Sequence, residues 1–119
     1  MAVDERPLTY SDVLQMLEQV SNDTRKLNLA HKNLQGIDLS NANLQGAKLQ
    51  GANLQKANLQ NASLQGAKLE GANLQGADLR EVNLQRVDLQ GVDLQNANLQ
   101  GADLQDTNLQ DTNMRGIFM

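Results

Sequence analysis

The sequence predicts an all-β solenoid, in which the chain bends once every five residues and stacks its coils along one axis. Leucine occupies every fifth position from Leu29 to Leu109, which places seventeen leucines in one register. Met114 and Met119 continue that register, and a small or apolar residue stands two positions before nearly every leucine. Aromatic residues make up only 2% of the chain, so the core must be thin and filled by leucine and alanine.

A period of five fits neither a straight helix nor a straight strand. Each residue of an α-helix turns about 100°, so leucines five apart would wind around its surface. Side chains of a strand alternate between its two faces, so an odd period would send successive leucines to opposite sides. All the leucines can share one core only if the chain turns a corner in every unit.

The corner is expected near the end of each unit, where Gly and Asn are common, as at Gly36, Gly46 and Asn61. These residue types tolerate the backbone conformations that tight turns need. Asn or Asp most often precedes the leucine, and a short polar side chain there can hydrogen-bond the backbone of the corner. The rungs would then stack about 4.8 Å apart, and each fully buried leucine would contribute roughly 1.5–3 kcal/mol.

The unit Ala-Asn/Asp-Leu-Gln-Gly resembles the motif of the pentapeptide-repeat proteins, which is Ala-Asp/Asn-Leu followed by two variable residues. The resemblance covers residues 27–119, or nineteen consecutive units. It implies a right-handed quadrilateral β-helix with four units per coil, and therefore about four and three-quarter coils. In such a helix the leucine and the preceding alanine fill the interior. Proteins of this kind are especially numerous in cyanobacteria.

Two parts of the chain differ in character. Residues 1–26 lack the repeat and predict an N-terminal tail and a capping helix, whereas residues 27–119 form the repeat array. Residues 1–8 are polar and are expected to be loose. The first units are imperfect, since Lys32 stands where alanine is expected. We expect its unit to be splayed at the edge of the coil, so that the amine reaches water.

A helix is expected from Tyr10 to about Val20, where apolar residues form a helical stripe. Thr9 followed by Asp12 is a variant of the capping box. A bare solenoid end would expose leucines and unpaired backbone groups. We therefore expect the helix to cover the first coil with Val13, Leu17 and Val20. An amphipathic helix that binds a partner is the alternative.

Glutamine follows most leucines and would form flat polar columns, because units four apart share a face. Gln–Gln hydrogen bonds between rungs are the simplest interpretation, and a glutamine surface that recognises a ligand is the alternative. The residues concerned are Gln35, Gln55, Gln75 and Gln95 on one face, and Gln45, Gln65, Gln85 and Gln105 on another.

Charge and composition exclude several function classes. The net charge is −4, which disfavours generic binding to nucleic acids or anionic membranes. Between Glu70 and Asp111 there are eight acids and two bases, but the acids do not follow one stripe. Glu81 and Arg86 could pair across a corner. The chain has no cysteine, no stretch that could cross a membrane and no signal-peptide core, so a cytoplasmic location is expected.

No catalytic, cofactor or metal site is predicted. A catalytic site needs a nucleophile or an acid/base pair held in a pocket, and the single histidine, His31, lies in the irregular first coil. Aspartates such as Asp78 and Asp88 fill the slot before leucine, where they can serve the corner. The calcium motif of other β-solenoids, phosphate loops and dinucleotide fingerprints are absent.

The last residues predict an association surface. An apolar coil end with a free strand edge favours contact with another chain. We expect two copies to meet end to end in a two-fold dimer, and a frayed terminus is the alternative. The contact residues would be Met114, Ile117, Phe118 and Met119.

These observations favour a structural or interaction protein, a rigid polar rod with an unidentified protein partner and no nucleic-acid or membrane partner. The resemblance also implies an alternative, a DNA mimic that acts on a DNA-binding enzyme such as gyrase. That role needs a long and strongly acidic rod, whereas this chain is short and its outer face is mostly glutamine. A consensus-like designed sequence is a third interpretation, against which the irregular residues 1–26 argue.

Overall fold

The computed structural model describes residues 6–119. Helix α1 spans Tyr10–Gln19, and a single 3₁₀ turn follows at Thr24–Lys26. From Asn28 onward the chain alternates between isolated β-bridges and turns. The described residues form no strand longer than one bridge, because the chain turns again after every fifth residue.

The bridges confirm the predicted solenoid. Fifteen parallel bridges join residues that are twenty positions apart, from Asn28 with Lys48 to Asn98 with Phe118. They fall into four columns, which we call faces A to D, and the corner after each face takes the same letter. Face A contains Asn28, Lys48, Lys68, Asp88 and Asn108; face B begins at Asn33, face C at Asp38 and face D at Asn43.

Each corner is a β-turn closed by the backbone. The carbonyl oxygen of Leu44, for example, accepts the N–H of Ala47 at 3.0 Å, and Gly46 between them has a φ of +70°. The equivalent residue has a positive φ in every unit from His31 to Gly116. A positive φ at the third position is the mark of a type II turn. Half of these positions hold residues other than glycine, including Lys56 and Arg86.

The Asn/Asp slot reinforces the corner in fifteen units. The Oδ1 atom of the residue before leucine accepts the N–H of the residue after leucine, as between Asn73 and Gln75 at 3.0 Å. This is the side-chain role that the sequence predicted for the slot. Three inner units lack the bond because the slot holds Lys48, Ser63 or Lys68.

The core is one column of leucines per face, with alanine or valine beside it. Leu54, Leu74 and Leu94 lie on consecutive rungs of face B, and each is 0% exposed. Every leucine of the register from Leu29 to Leu99 is buried. Burial then decreases toward the last coil, where Leu104 and Leu109 are only partly covered.

Helix α1 begins with the expected capping box. The backbone N–H of Asp12 donates to Thr9 Oγ1 at 3.2 Å, and the Thr9 N–H donates to Asp12 Oδ2 at 2.8 Å. Val13 is buried and belongs to the core, while Leu17 packs against the core from a partly buried position. Val20 is half-buried at the C-cap, where its N–H donates to carbonyl oxygens of the last helical turn.

The segment before the helix is bound to the solenoid, although the sequence predicted a loose tail. The Leu8 N–H donates to the carbonyl oxygen of Asn33 at 2.8 Å, and its side chain packs against the core. Leu8 thereby pairs with an acceptor at the edge of face B. The first five residues of the expected tail lie outside the described part of the chain. Lys32 is exposed, as expected. Its unit is not splayed, because the Lys32 N–H donates to the carbonyl oxygen of Leu29 at 3.2 Å and the Lys32 carbonyl oxygen accepts the N–H of Asn53 at 3.0 Å.

Candidate interaction surfaces

The glutamine columns bond to themselves. Gln55 Nε2 donates to Gln75 Oε1 at 3.0 Å, and Gln75 Nε2 donates to Gln95 Oε1 at 3.3 Å. Gln75 also donates to Asp93 Oδ2 at 2.7 Å. The predicted Gln–Gln bonding is therefore confirmed, and these amides serve neighbouring rungs of the solenoid.

Two aspartates of the repeat have lowered pKa values because each binds a side chain in its own corner. The side-chain hydrogen bond from Arg80, at 2.7 Å between Nη2 and Oδ2, lowers the pKa of Asp78. The hydroxyl of Ser40 lowers the pKa of Asp38 in the same way. Within residues 6–119, no group of three His, Cys, Asp or Glu side chains could hold a metal ion. His31 is exposed beside the corner at Gly51.

The acidic residues are distributed around the rod. Asp78 belongs to face C, Asp88 to face A, Asp93 to face B and Asp103 to face D. They form no continuous stripe along the axis. This arrangement does not support the DNA-mimic alternative, which needs a continuous acidic surface.

The expected pair of Glu81 and Arg86 is not formed. The carboxylate of Glu81 lies over Gly101 on the next rung, where a Cβ would come within 2.6 Å of its Oε1 atom. Within the described residues, the Arg86 guanidinium has no hydrogen-bond or ion-pair partner. The prediction is wrong because the Glu81 side chain extends along the axis toward the equivalent corner of the next rung, whereas Arg86 lies at the next corner of the same coil.

An open cavity of about 530 Å³ lies between the connector at residues 22–25 and corner D. Its floor includes Gly46 and Gly66, and its two arginines are Arg25 and Arg86. The hydroxyl of Thr24 donates to the carbonyl oxygen of Gln45 at 2.6 Å and ties the connector to the solenoid. Sequence reasoning missed this cavity because the repeat pattern does not say where the connector lies.

The last coil exposes the apolar side chains that the sequence singled out. Met114 is 39% exposed, Phe118 61% and Met119 71%, whereas Ile117 packs partly against the core. Thr107 and Thr112 occupy inward positions of this coil. Their hydroxyls donate to the carbonyl oxygens of Leu84 and Leu89, each at 2.9 Å. The inward threonines make this coil more polar than the others.

Comparison with known protein families decides the classification. The family model for pentapeptide repeats matches residues 26–61, 37–76, 57–96 and 77–116, with eight copies of the repeat. The chain belongs to the pentapeptide-repeat family. Among curated proteins, no sequence matches this pentapeptide-repeat protein.

Three solved pentapeptide-repeat structures are similar to it. The first, from the Arabidopsis thaliana thylakoid lumen, is 35% identical, with a TM-score of 0.75 over 79% of this chain and 66% of the other. The second is HetL from Nostoc sp., a protein involved in heterocyst differentiation regulation. It is 32% identical, with a TM-score of 0.65 over 77% and 51% of the two chains. The third, Rfr23 from Cyanothece, is 31% identical, with a TM-score of 0.50 over 91% and 93%.

This pentapeptide-repeat protein therefore spans 66% and 51% of the lengths of the first two structures. Pentapeptide-repeat proteins are generally structural or interaction modules. No helix among residues 6–119 combines the length and hydrophobicity needed to cross a membrane.

Proposed function

We propose that this protein is a non-enzymatic interaction module, a rigid polar rod that presents its faces to a protein partner. The main observation behind the proposal is that the apolar side chains fill the interior while the polar side chains bond to one another on the outer surface. The leucines from Leu29 to Leu99 are buried, and the outer amides and carboxylates bond along the rungs. Such a surface is ordered and flat, which lowers the entropic cost of recognition because few side chains need to be immobilised.

Several finer features belong to the same proposal. The array is a right-handed quadrilateral β-helix of about four and three-quarter coils; its support is the four columns of bridges and the strong preference of parallel connections for the right-handed form. The proposed division is an N-terminal tail and capping helix at residues 1–26 and a repeat array at residues 27–119, with Val13, Leu17 and Val20 as the proposed cap contacts. The proposed location is the cytoplasm, which fractionation of the native host would test.

We expect the partner protein to bind the polar surface and to dissociate chemically unchanged. A tagged full-length protein should retain the same host protein reproducibly, and an excess of the untagged protein should compete it away. A form without α1 serves as the control for the alternative in which the helix itself binds the partner. Failure to retain any host protein under these conditions would contradict the proposed function.

A second contact is proposed at the last coil, where two copies meet end to end in a two-fold dimer. The supporting observation is the exposed apolar group of Met114, Phe118 and Met119, with Ile117 beside them. Light scattering on the protein and on the variant Phe118→Asn tests the contact. We expect a dimer that the substitution weakens, and a strictly monomeric protein at all concentrations would contradict the proposal.

A further inference from the structure

Five of the ten Lys and Arg residues of this acidic chain lie along one edge of the rod, between corner D and face A. We call them the basic patch. Arg25 lies over Gly46, as a Cβ on that glycine would come within 2.9 Å of Arg25 Cγ. Lys48 and Lys68 follow the corner glycines by two positions on face A. The basic patch consists of Arg25, Lys26, Lys48, Lys68 and Arg86.

Lys48 and Lys68 are unfavourable for the fold in two ways. They are two of the three inner residues that leave the corner without its Asn/Asp hydrogen bond. They also form a bridge with each other, so two positive side chains leave neighbouring rungs of one face, which destabilises a sheet. Both side chains are exposed, and neither forms an ion pair with another residue of the described part of the chain. Residues that break local rules without a compensating contact point to function.

The two arginines extend the patch into the cavity at corner D. Arg86 has a φ of +58° and a guanidinium without a polar partner among the described residues. Gly66, one rung away, leaves the space beside it open, since a Cβ there would meet nothing within 4 Å. Arg25 is 81% exposed, and Asp23 already accepts from two nitrogen atoms of its guanidinium. Arg86 is therefore the freer of the two donors.

Nearby acids limit the length of the patch. Glu70 lies at corner A beside Lys68, Asp88 follows Lys68 on face A, and Asp106 follows Arg86 at corner D. The basic edge spans about three rungs, or roughly 14 Å. That length matches four to five residues of an extended peptide at about 3.3 Å each. A nucleic-acid duplex would continue onto the acidic coils, and the patch has no aromatic side chain on which single-stranded bases could stack.

We propose that the basic patch binds a short acidic segment of a partner protein, with carboxylates at Lys48 and Lys68 and a further carboxylate in the cavity at Arg86. This inference rests on the proposed interaction function and specifies the chemistry of the partner. Binding depends on exposed charges and weakens with salt, because ions screen such pairs strongly.

A fluorescent peptide of five consecutive glutamates tests the inference by anisotropy at low ionic strength. The test variant is Lys48→Asn/Lys68→Asn, which removes two charges and supplies the missing corner acceptors. The matched control is Lys32→Asn/Lys56→Asn, which changes the net charge equally but lies outside the basic patch. We expect the test variant to bind the peptide about fivefold or more weakly, since exposed charge pairs contribute modestly. The control should remain within about twofold of the original protein.

Thermal unfolding separates loss of binding from loss of folding. The variant Lys48→Asn/Lys68→Asn should unfold at a temperature no lower than the original protein, because both changes restore a corner hydrogen bond. Equal binding by the test and control variants, or no binding to the original protein, would overturn the inference. Tighter binding to an oligothymidine of equal charge would assign the patch to nucleic acid instead. If the peptide fails but a host protein is still retained, only this inference falls and the proposed function stands.

Discussion

Replacing Ser63 by asparagine should stabilise the protein. Ser63 occupies the slot in which Asn43 and Asn83, its neighbours on face D, each accept the backbone N–H two residues later, at 3.1 and 3.0 Å. Ser63 makes no such bond, and its Oγ atom is buried without a hydrogen-bond partner among the described residues. Asparagine can adopt the conformation that both neighbours already have, and its Oδ1 atom would then accept the N–H of Gln65.

The expected gain follows from one added hydrogen bond. A typical intramolecular hydrogen bond contributes about 0.5–1.5 kcal/mol net, and relieving an unpaired buried oxygen adds to that gain. We therefore expect Ser63→Asn to raise the free energy of unfolding by about 1 kcal/mol. For a chain of this size, that gain raises the melting temperature by about 4 °C.

Circular dichroism during thermal and denaturant unfolding measures the effect. The matched substitution is Asn83→Ser, which removes the same hydrogen bond one rung away and should lower the stability by a similar amount. A Ser63→Asn variant that is no more stable than the original protein would refute the assignment of the slot to corner bonding. An Asn83→Ser variant that is as stable as the original protein would refute it as well.

Three further predictions concern the core, the corners and the carboxylates. Leu74→Ala should lower the free energy of unfolding by about 2–5 kcal/mol. Leu109→Ala should lower it by less than half as much, because Leu109 is only partly buried. Chemical denaturation of both variants measures the two losses, and equal losses would contradict the decrease in burial toward the last coil. Gly71 has a φ of +71° and open space around it, so Gly71→Ala should cost about 1–2 kcal/mol and Gly71→Asn less, as thermal melts can verify. The pKa of Asp78 is lowered from 3.8 in the folded state, so its contribution to stability is present above pH 3.8 and is lost as the pH falls below that value. Unfolding of Asp78→Asn should depend less on pH in that range, and an unchanged dependence would contradict the role of Arg80.

Much of the fold could be predicted because the leucines repeat without a gap. An apolar residue at every fifth position requires one corner per unit, and the slot before leucine could be assigned to the corner from the size and polarity of Asn and Asp. The prediction that outer glutamines bond between rungs was correct for the same reason, since Gln55 and Gln75 must stand one above the other. The family resemblance supplied the number of units per coil, which the spacing of leucines alone does not determine.

The position of the N-terminal chain on the solenoid and the pairing of outer side chains could not be predicted. The bond from Leu8 to Asn33 and the cavity under residues 22–25 depend on where the irregular N-terminal chain folds back. The pair Glu81 and Arg86 was predicted from sequence distance, but the rungs bring together residues twenty positions apart. The same rule places Lys48 beside Lys68, a juxtaposition that becomes visible only when the faces are separated.

The central claim is that residues twenty positions apart stand side by side on one face. The chain has no cysteine, so a double variant can carry one unique pair of thiols. Cα atoms on neighbouring rungs lie about 4.8 Å apart, which is within the range that a disulfide bridges. After mild oxidation, Lys48→Cys/Lys68→Cys should form an intramolecular disulfide in high yield, whereas Lys48→Cys/Ser63→Cys should retain free thiols. Preferential oxidation of the second pair, measured by mass spectrometry and thiol titration, would contradict the account.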